Sequence, residues 1–80
     1  MIPYRHLIYT LAVAEHGSVQ AASDHISISQ PALSAAIQKV EQNYGLKIFL
    51  RDRPNKLILT PDGKRFVARA KVLMEGAEEF

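Results

Sequence analysis

The chain has 80 residues, of which 48% are hydrophobic and 22% are charged, and it contains no cysteine. This size and composition predict one small folded domain and exclude both a disulfide-stapled fold and a thiolate metal site. All ten lysine and arginine residues lie within residues 1–71, against five acidic residues in the same span, so the body of the chain is basic and favours an anionic partner.

The first predicted helix covers residues 3–16. Pro3 suits the first turn of a helix, and Gly17 predicts its end because glycine tolerates the left-handed conformation there. Apolar residues recur at helical spacing: Tyr4, Leu7, Ile8 and Leu11. The apolar run 11–14 is too short to span a bilayer, and no basic-then-apolar leader precedes it. We therefore expect a soluble, cytoplasmic protein without a membrane partner.

Residues 18–37 predict two helices separated by a short polar turn. Ser18 can cap the first, over about 18–25, by accepting a hydrogen bond from a free backbone N–H group. Ser29 can cap the second, over about 30–44, where Pro31 occupies the first turn and its missing N–H costs nothing. Two small helices in this order predict a helix-turn-helix, the motif that enters the DNA major groove.

The second of these helices has two chemically different faces. At about 100° per residue, one apolar stripe falls on the side that we expect to face the core: Leu33, Ile37, Val40 and Tyr44. The opposite face and its flanks are small and polar and carry the candidate DNA contacts: Gln30, Pro31, Ser34, Ala35, Gln38, Lys39 and Gln42. A glutamine amide can donate and accept hydrogen bonds together at adenine, although an ordinary solvated helix face is the alternative.

Two short β-compatible runs follow, residues 47–50 and 56–59, with a basic, turn-rich loop at 51–55. Together they predict a two-stranded wing. Its candidate DNA contacts are Arg51, Arg53, Pro54 and Lys56. An arginine beside a proline can lie along phosphates or enter a narrow minor groove, whereas solubility or protection of a sheet edge is the alternative function of these charges.

A final helix is predicted over residues 61–80. Thr60 can cap it, and Pro61 takes its first position. Apolar residues at helical spacing form the predicted contact with a second copy of the chain: Phe66, Val67, Ala70, Leu73 and Met74. Burying this stripe would stabilise both the helix and a homodimer, whose half-sites would lie about one turn of DNA, or a multiple of it, apart.

The sequence contains no pattern of residues typical of a catalytic site or of a metal site. His6, His16 and His25 have no metal-ligand spacing. The sequence shows no nucleophile–base pair, glycine-rich phosphate loop or paired acidic groups. We therefore expect no enzymatic activity, no cofactor and no metal site.

Several segments of the sequence resemble one known family. They are AVAEHGS at 12–18, AA at 21–22, SQPALS at 29–34, IQKVE at 37–41, GLKIFLR at 45–51 and LTPDG at 59–63. These segments are similar to the N-terminal DNA-binding domain of LysR-type transcriptional regulators. The resemblance runs from about residue 4 to 66. It implies a mainly α, winged helix-turn-helix fold with a three-helix core, a two-stranded wing and a C-terminal linker helix.

The resemblance also implies roles and partners. It divides the chain into a DNA-binding domain at 1–60 and a linker and dimerisation helix at 61–80. It implies recognition-helix contacts by Gln30, Pro31 and Ser34, a wing region at Arg51 and Arg53, and backbone-facing positions at Ser18, Gln20 and Ser29. The implied function is sequence-specific binding to double-stranded DNA as a dimer or higher oligomer, which controls transcription initiation. An intact regulator of this type can also contact RNA polymerase, and a small-molecule effector is expected only with a C-terminal domain absent from these 80 residues.

Ala35 and Ala36 stand where family members often carry arginine followed by a polar residue. Ala35 lacks a charged contact but can pack on a thymine methyl group, so we expect weaker base readout there and more reliance on Gln38 and the wing. Ala36 falls nearer the core. Two alternatives stay open: a related winged helix such as that of molybdate-responsive regulators, and a winged helix that binds a protein groove with weak dependence on salt.

Overall fold

The computed structural model describes residues 2–78. In this range the chain forms four helices and one antiparallel pair of strands: α1 (Tyr4–His16), α2 (Val19–Ile26), α3 (Gln30–Tyr44), β1 (Phe49–Arg53), β2 (Lys56–Leu59) and α4 (Pro61–Glu78). This arrangement is a winged helix-turn-helix and confirms the predicted fold class. The predicted helix bounds are confirmed to within about one residue, except at the C-terminal end of α4, where residues 79–80 lie outside the described residues.

The predicted helix caps are present. The hydroxyl of Ser18 accepts a hydrogen bond from the N–H of Ala21 at 3.0 Å, and that of Ser29 accepts one from Ala32 at 3.2 Å. Gly17 ends α1 with φ of 79°, the left-handed conformation for which glycine is suited. The start of α2 and the start of α3 are therefore fixed by side chains one to three residues away in the sequence.

The turn between α2 and α3 contains a feature that the sequence did not predict. Ser27 ends α2 with φ of 58°, a left-handed conformation that non-glycine residues seldom adopt. The hydroxyl of Ser23 donates a hydrogen bond to the carbonyl of Ile28 at 2.6 Å, across this turn. This bond holds the turn closed and fixes the angle at which α3 leaves α2.

Helix α1 lies at the centre of the domain and packs against α2, α3 and α4. The main core cluster comprises Ala12, Val13, Ala22, Leu33, Ile37, Val40, Ile48 and Phe49. Thr10 is also fully buried, and its hydroxyl donates to the carbonyl of His6 at 2.8 Å, so its burial leaves no unsatisfied donor. The predicted core position of Tyr44 is wrong. Its side chain is 50% exposed because it lies at the end of α3 against Phe66 of α4, with ring centroids 5.2 Å apart.

The wing differs from its prediction at the first strand. β1 begins at Phe49 and continues through Arg53, so residues 51–53 are part of the strand rather than of the loop. Arg51 pairs with Leu57 and Arg53 with Lys56, and the pairing shifts between them. An exposed strand accepts charged side chains when its backbone groups find partners on the neighbouring strand. The connecting turn is therefore limited to residues 54–55.

Candidate nucleic-acid interface

The outward face of α3 is exposed as the helical pattern predicted. Leu33, Ala36 and Ile37 are buried on the opposite side. The exposed candidate DNA contacts along this helix and at its cap are Ser29, Gln30, Pro31, Ser34, Ala35, Gln38 and Lys39. The face carries amide and hydroxyl groups and small side chains, so it can approach base edges closely.

One shallow cleft brings together side chains from three elements. Its lining includes Ser18 and Gln20 from the start of α2, Gln30 and Ser34 from α3, and Arg51, Pro54 and Lys56 from the wing. The other candidates, among them Pro31, Ala35, Gln38, Lys39 and Arg53, lie outside this cleft. The cleft joins the wing to the first half of α3 in one surface.

Two backbone contacts hold the wing beside the helix-turn-helix. The N–H of Leu57 on β2 donates to the carbonyl of Gly17 at 2.8 Å, next to the start of α2. The N–H of Thr60 donates to the carbonyl of Ile48 at 3.0 Å, which closes the base of the wing. The position of the wing relative to α2 is thus set by backbone geometry and does not depend on its charged side chains.

The two arginines of the wing have different surroundings. The guanidinium of Arg51 donates to the carbonyl of Pro54 at 2.8 Å and so braces the turn, in addition to any role at DNA. The Nε of Arg53 lies 3.7 Å from the carboxylate of Asp52, and the Arg53 side chain is exposed. Exposed ion pairs of this kind contribute at most about 1 kcal/mol, so Arg53 can exchange its partner for a phosphate at little cost.

Glu41 positions the wing, a role that the sequence did not predict. Its carboxylate accepts the N–H of Ile48 at 2.8 Å and that of Phe49 at 3.4 Å, and lies 3.9 Å from the ammonium of Lys47. The side chain is only 14% exposed. It therefore connects α3 directly to the start of the wing. The sequence contains one indication of this contact. In helical projection Glu41 lies beside Ile37 at the edge of the core, where a carboxylate needs a hydrogen-bond donor as partner.

The predicted dimer stripe of α4 is divided in the structure. Val67 and Ala70 are each 6% exposed and pack into the chain itself, which leaves little of either for a partner. Phe66 and Met74 are half-buried. Leu73 is 64% exposed and borders an apolar groove that is also lined by Leu7, Tyr44, Leu46 and Phe66. The neighbouring Val72, which was not predicted, is 69% exposed.

Residues 2–78 contain neither a cluster of metal-ligating side chains nor a membrane-spanning helix. Within residues 2–78, no three histidine, cysteine or acidic side chains are grouped as metal ligands would be. None of the helices described there combines the length and apolar character needed to cross a bilayer.

Comparison with known proteins identifies the family. The family model described as "Bacterial regulatory helix-turn-helix protein, lysR family" matches residues 4–64. The chain belongs to this family. Among curated LysR-like relatives, the HTH-type transcriptional regulator YvbU of Bacillus subtilis is 36% identical over 67 residues, which is 84% of this chain and 23% of YvbU. The chain thus spans about a quarter of the length of the curated relatives it matches.

Solved structures of LysR-family DNA-binding domains have the same fold. The CbnR DNA-binding domain in its complex with DNA superposes with a TM-score of 0.91 at 31% identity, covering 96% of this chain and 87% of that one. The BenM DNA-binding domain in complex with benA site 1 DNA gives 0.89 at 34% identity, covering 96% and 88%. The family to which the chain belongs consists of regulatory helix-turn-helix proteins and not of enzymes, as the sequence predicted.

Proposed function

We propose that this chain is the DNA-binding part of a LysR-type transcriptional regulator and recognises an operator sequence as a homodimer. The observation that carries the proposal is the shared cleft in which Gln30 and Ser34 of α3 meet Arg51 and Lys56 of the wing. Base-reading and phosphate-binding groups on one continuous surface are what a sequence-specific duplex binder needs.

In this proposal α3 enters the major groove. Gln38 at its centre offers both a donor and an acceptor to an adenine edge, and Ala35 offers a methyl group to thymine. The hydroxyl of Ser34 can pair with either a base or a phosphate. A preference for A/T-rich operators is proposed from the resemblance to LysR-type regulators, and Gln38 and Ala35 offer the groups that adenine and thymine accept.

The wing supplies the contacts that do not depend on sequence. Between residues 47 and 56 the chain carries four cations and one acid, and Arg53 forms an exposed ion pair with Asp52. Cations on such a protrusion can follow the phosphate backbone or enter a narrow minor groove. Ser18, Gln20 and Ser29 lie at helix starts, where hydroxyl, amide and backbone N–H groups can approach phosphate oxygens.

Dimerisation is proposed through α4, with Leu73 and the groove beside it as the contact. This revises the five-residue stripe predicted from the sequence, because two of its members are already buried. The relatives solved on DNA support the DNA partner. Control of transcription initiation in the cytoplasm, contact with RNA polymerase and response to an effector are proposed for the intact regulator, of which this chain corresponds to about a quarter.

The test is a fluorescence anisotropy titration with A/T-rich palindromic and scrambled duplexes across a series of salt concentrations. The Gln38→Ala variant should lose about 1–3 kcal/mol of preference for the best duplex, since one bidentate base contact is removed. The Arg53→Ala variant should bind all duplexes more weakly and lower the salt slope by about 1.

A matched charge variant controls for nonspecific electrostatics. Lys71 is exposed on α4 and does not line the cleft between α3 and the wing, so Lys71→Ala should keep the parent affinity and salt slope. Affinity that is insensitive to both salt and duplex sequence would contradict the proposal and favour a protein-binding winged helix. If Gln38→Ala and Arg53→Ala change affinity, sequence preference and salt slope in the same way, the separate roles assigned to α3 and the wing are wrong.

A further inference from the structure

A second basic cleft lies beside the C-terminal half of α3. Its polar lining comprises Arg5 and His6 from the start of α1 and Lys39, Gln42 and Asn43 from α3. Four of these five side chains are exposed, His6 being the exception. The lining includes two cations, two amides and no acidic group. No residue of this cleft lines the first cleft, so it is a separate surface.

The pKa of His6 indicates that the electrostatic potential in this cleft is positive. Its Nδ1 is buried and has no hydrogen-bond partner among the described residues. Burial lowers the pKa of His6 below its ordinary value, and the charges of Arg5 and Lys39 lower it further. Both cations therefore act on the same ring, and their combined potential favours an anion in the cleft.

The two clefts lie on opposite flanks of the exposed face of α3. At about 100° per residue, Gln30 and Ser34 fall on one side of Gln38, while Lys39 and Asn43 fall on the other. At a rise of about 1.5 Å per residue, the centres of the two α3 segments are also about 13 Å apart along the helix axis. The major groove is about 12 Å wide and has a phosphate strand on each side. Because the two clefts face different directions around α3, a helix seated in the groove with its exposed face toward the bases can direct one cleft to each strand.

We propose that Arg5 and Lys39 bind a backbone phosphate of the DNA strand that lies across the major groove from the strand contacting the wing. This inference rests on the proposed function, since it requires α3 to occupy the groove. The guanidinium of Arg5 presents paired donors that match phosphate oxygens, and Lys39 adds a point charge. Contacts on both strands fix the angle of α3 in the groove and carry no sequence information.

The salt dependence of DNA binding tests this directly. Arg5→Ala and Lys39→Ala should each lower the slope of log affinity against log salt by about 1, because each removes one phosphate contact. The loss should be equal for the palindromic and the scrambled duplex. Arg5→Lys should keep the parent slope because it retains the charge. Circular dichroism and thermal unfolding verify that the variants are folded, as expected for exposed side chains.

A second readout follows the imidazole of His6 by NMR. A phosphate held between Arg5 and Lys39 offsets the two charges that lower the pKa of His6, so that pKa should rise when the duplex binds. The imidazole signals of His25, which is exposed and outside the cleft, serve as the internal control for nonspecific changes in chemical shift. Inorganic phosphate, titrated in a separate arm, distinguishes a free anion from the DNA backbone.

Three outcomes overturn the inference. If the Arg5 and Lys39 variants keep the parent slope while Arg53→Ala lowers it, the chain binds DNA but this cleft does not contribute. If inorganic phosphate shifts His6 and the duplex leaves it unchanged, the cleft takes only small anions. If the parent chain binds no duplex at any salt concentration, the proposed function fails together with the inference.

Discussion

The side chain of Glu41 joins α3 to the start of the wing by hydrogen bonds. Replacing it by alanine leaves the N–H of Ile48, a fully buried residue, without its acceptor at 2.8 Å. An orphaned buried donor that has lost a charged acceptor costs about 1–3 kcal/mol, so we expect Glu41→Ala to lower the free energy of unfolding by that amount. Urea denaturation of the variant and the parent measures it.

A matched pair separates the hydrogen bonds of Glu41 from its charge. Glu41→Gln keeps an acceptor oxygen and should lose less than Glu41→Ala. Lys47→Ala removes only an exposed partner at 3.9 Å and should change the free energy of unfolding by at most about 1 kcal/mol. A loss in Lys47→Ala as large as in Glu41→Ala would mean that the ion pair, and not the backbone contact, carries the stabilisation.

Single residues were predictable from the sequence where their partners are local. Ser18 and Ser29 cap helices by bonds to the residue three positions later, so a short window of sequence contains both partners. Glu41 bonds to backbone seven and eight residues away, after the chain has turned. Tyr44 was misplaced for a related reason: its exposure depends on where α4 and Phe66 lie, and no periodicity within α3 encodes that position.

At the scale of elements, α4 approaches the base of the wing at Gly63. A Cβ atom added to Gly63 would lie 2.1 Å from the carbonyl oxygen of Ile48, which is backbone and cannot turn aside. We therefore expect Gly63→Ala to destabilise the fold by about 1–3 kcal/mol through overpacking. Thermal unfolding followed by circular dichroism measures the loss.

The same helix contains the control for this substitution. A Cβ at Gly76 would meet nothing within 4 Å. Gly76→Ala should therefore be neutral or stabilise α4 by up to about 1 kcal/mol, because alanine has the higher helix propensity. Two glycine-to-alanine changes in one helix are thus expected to have opposite signs. Stabilisation by both would contradict the close packing of α4 on Ile48.

The bounds of a helix or strand were predictable where the residues that determine them lie within the same segment of sequence. The helices have caps and a 3.6-residue period within their own sequence, and their bounds were predicted closely. The first strand was displaced because its extent depends on pairing with β2, and residues 51–53 carry charges and turn-forming neighbours that favour a loop when considered alone. A strand boundary is a property of two segments, so one segment cannot define it.

At the scale of the whole molecule, α1 lies between two surfaces, the proposed DNA-binding face and the proposed dimer face. It packs against α3 on one side, where both basic clefts lie, and against α4 on another, where the apolar groove lies. The proposed DNA-binding face and the proposed dimer face therefore belong to elements that pack against one central helix. In a dimer, the distance between the two domains would therefore set the distance between the two half-sites that they bind on DNA.

The last prediction concerns the dimer face. Leu73 is exposed and borders the groove, so Leu73→Glu places a charge into the proposed interface without disturbing the core. We expect this variant to sediment as a monomer under conditions in which the parent is a dimer. Its affinity for a duplex with two half-sites should fall towards that for a single half-site, because the second binding event is no longer intramolecular.

Val72→Glu provides the matched control for this prediction. Val72 is as exposed as Leu73 and adjacent to it, but it points about 100° away around α4 and does not border the groove. It should keep the parent sedimentation and half-site cooperativity. Dissociation by Val72→Glu and not by Leu73→Glu would move the interface to the other side of α4. Because Arg65 and Arg69 also line this groove and can pair with a carboxylate at position 73, Leu73→Asn serves as an uncharged companion variant. If both variants stay dimeric, the groove is not the contact.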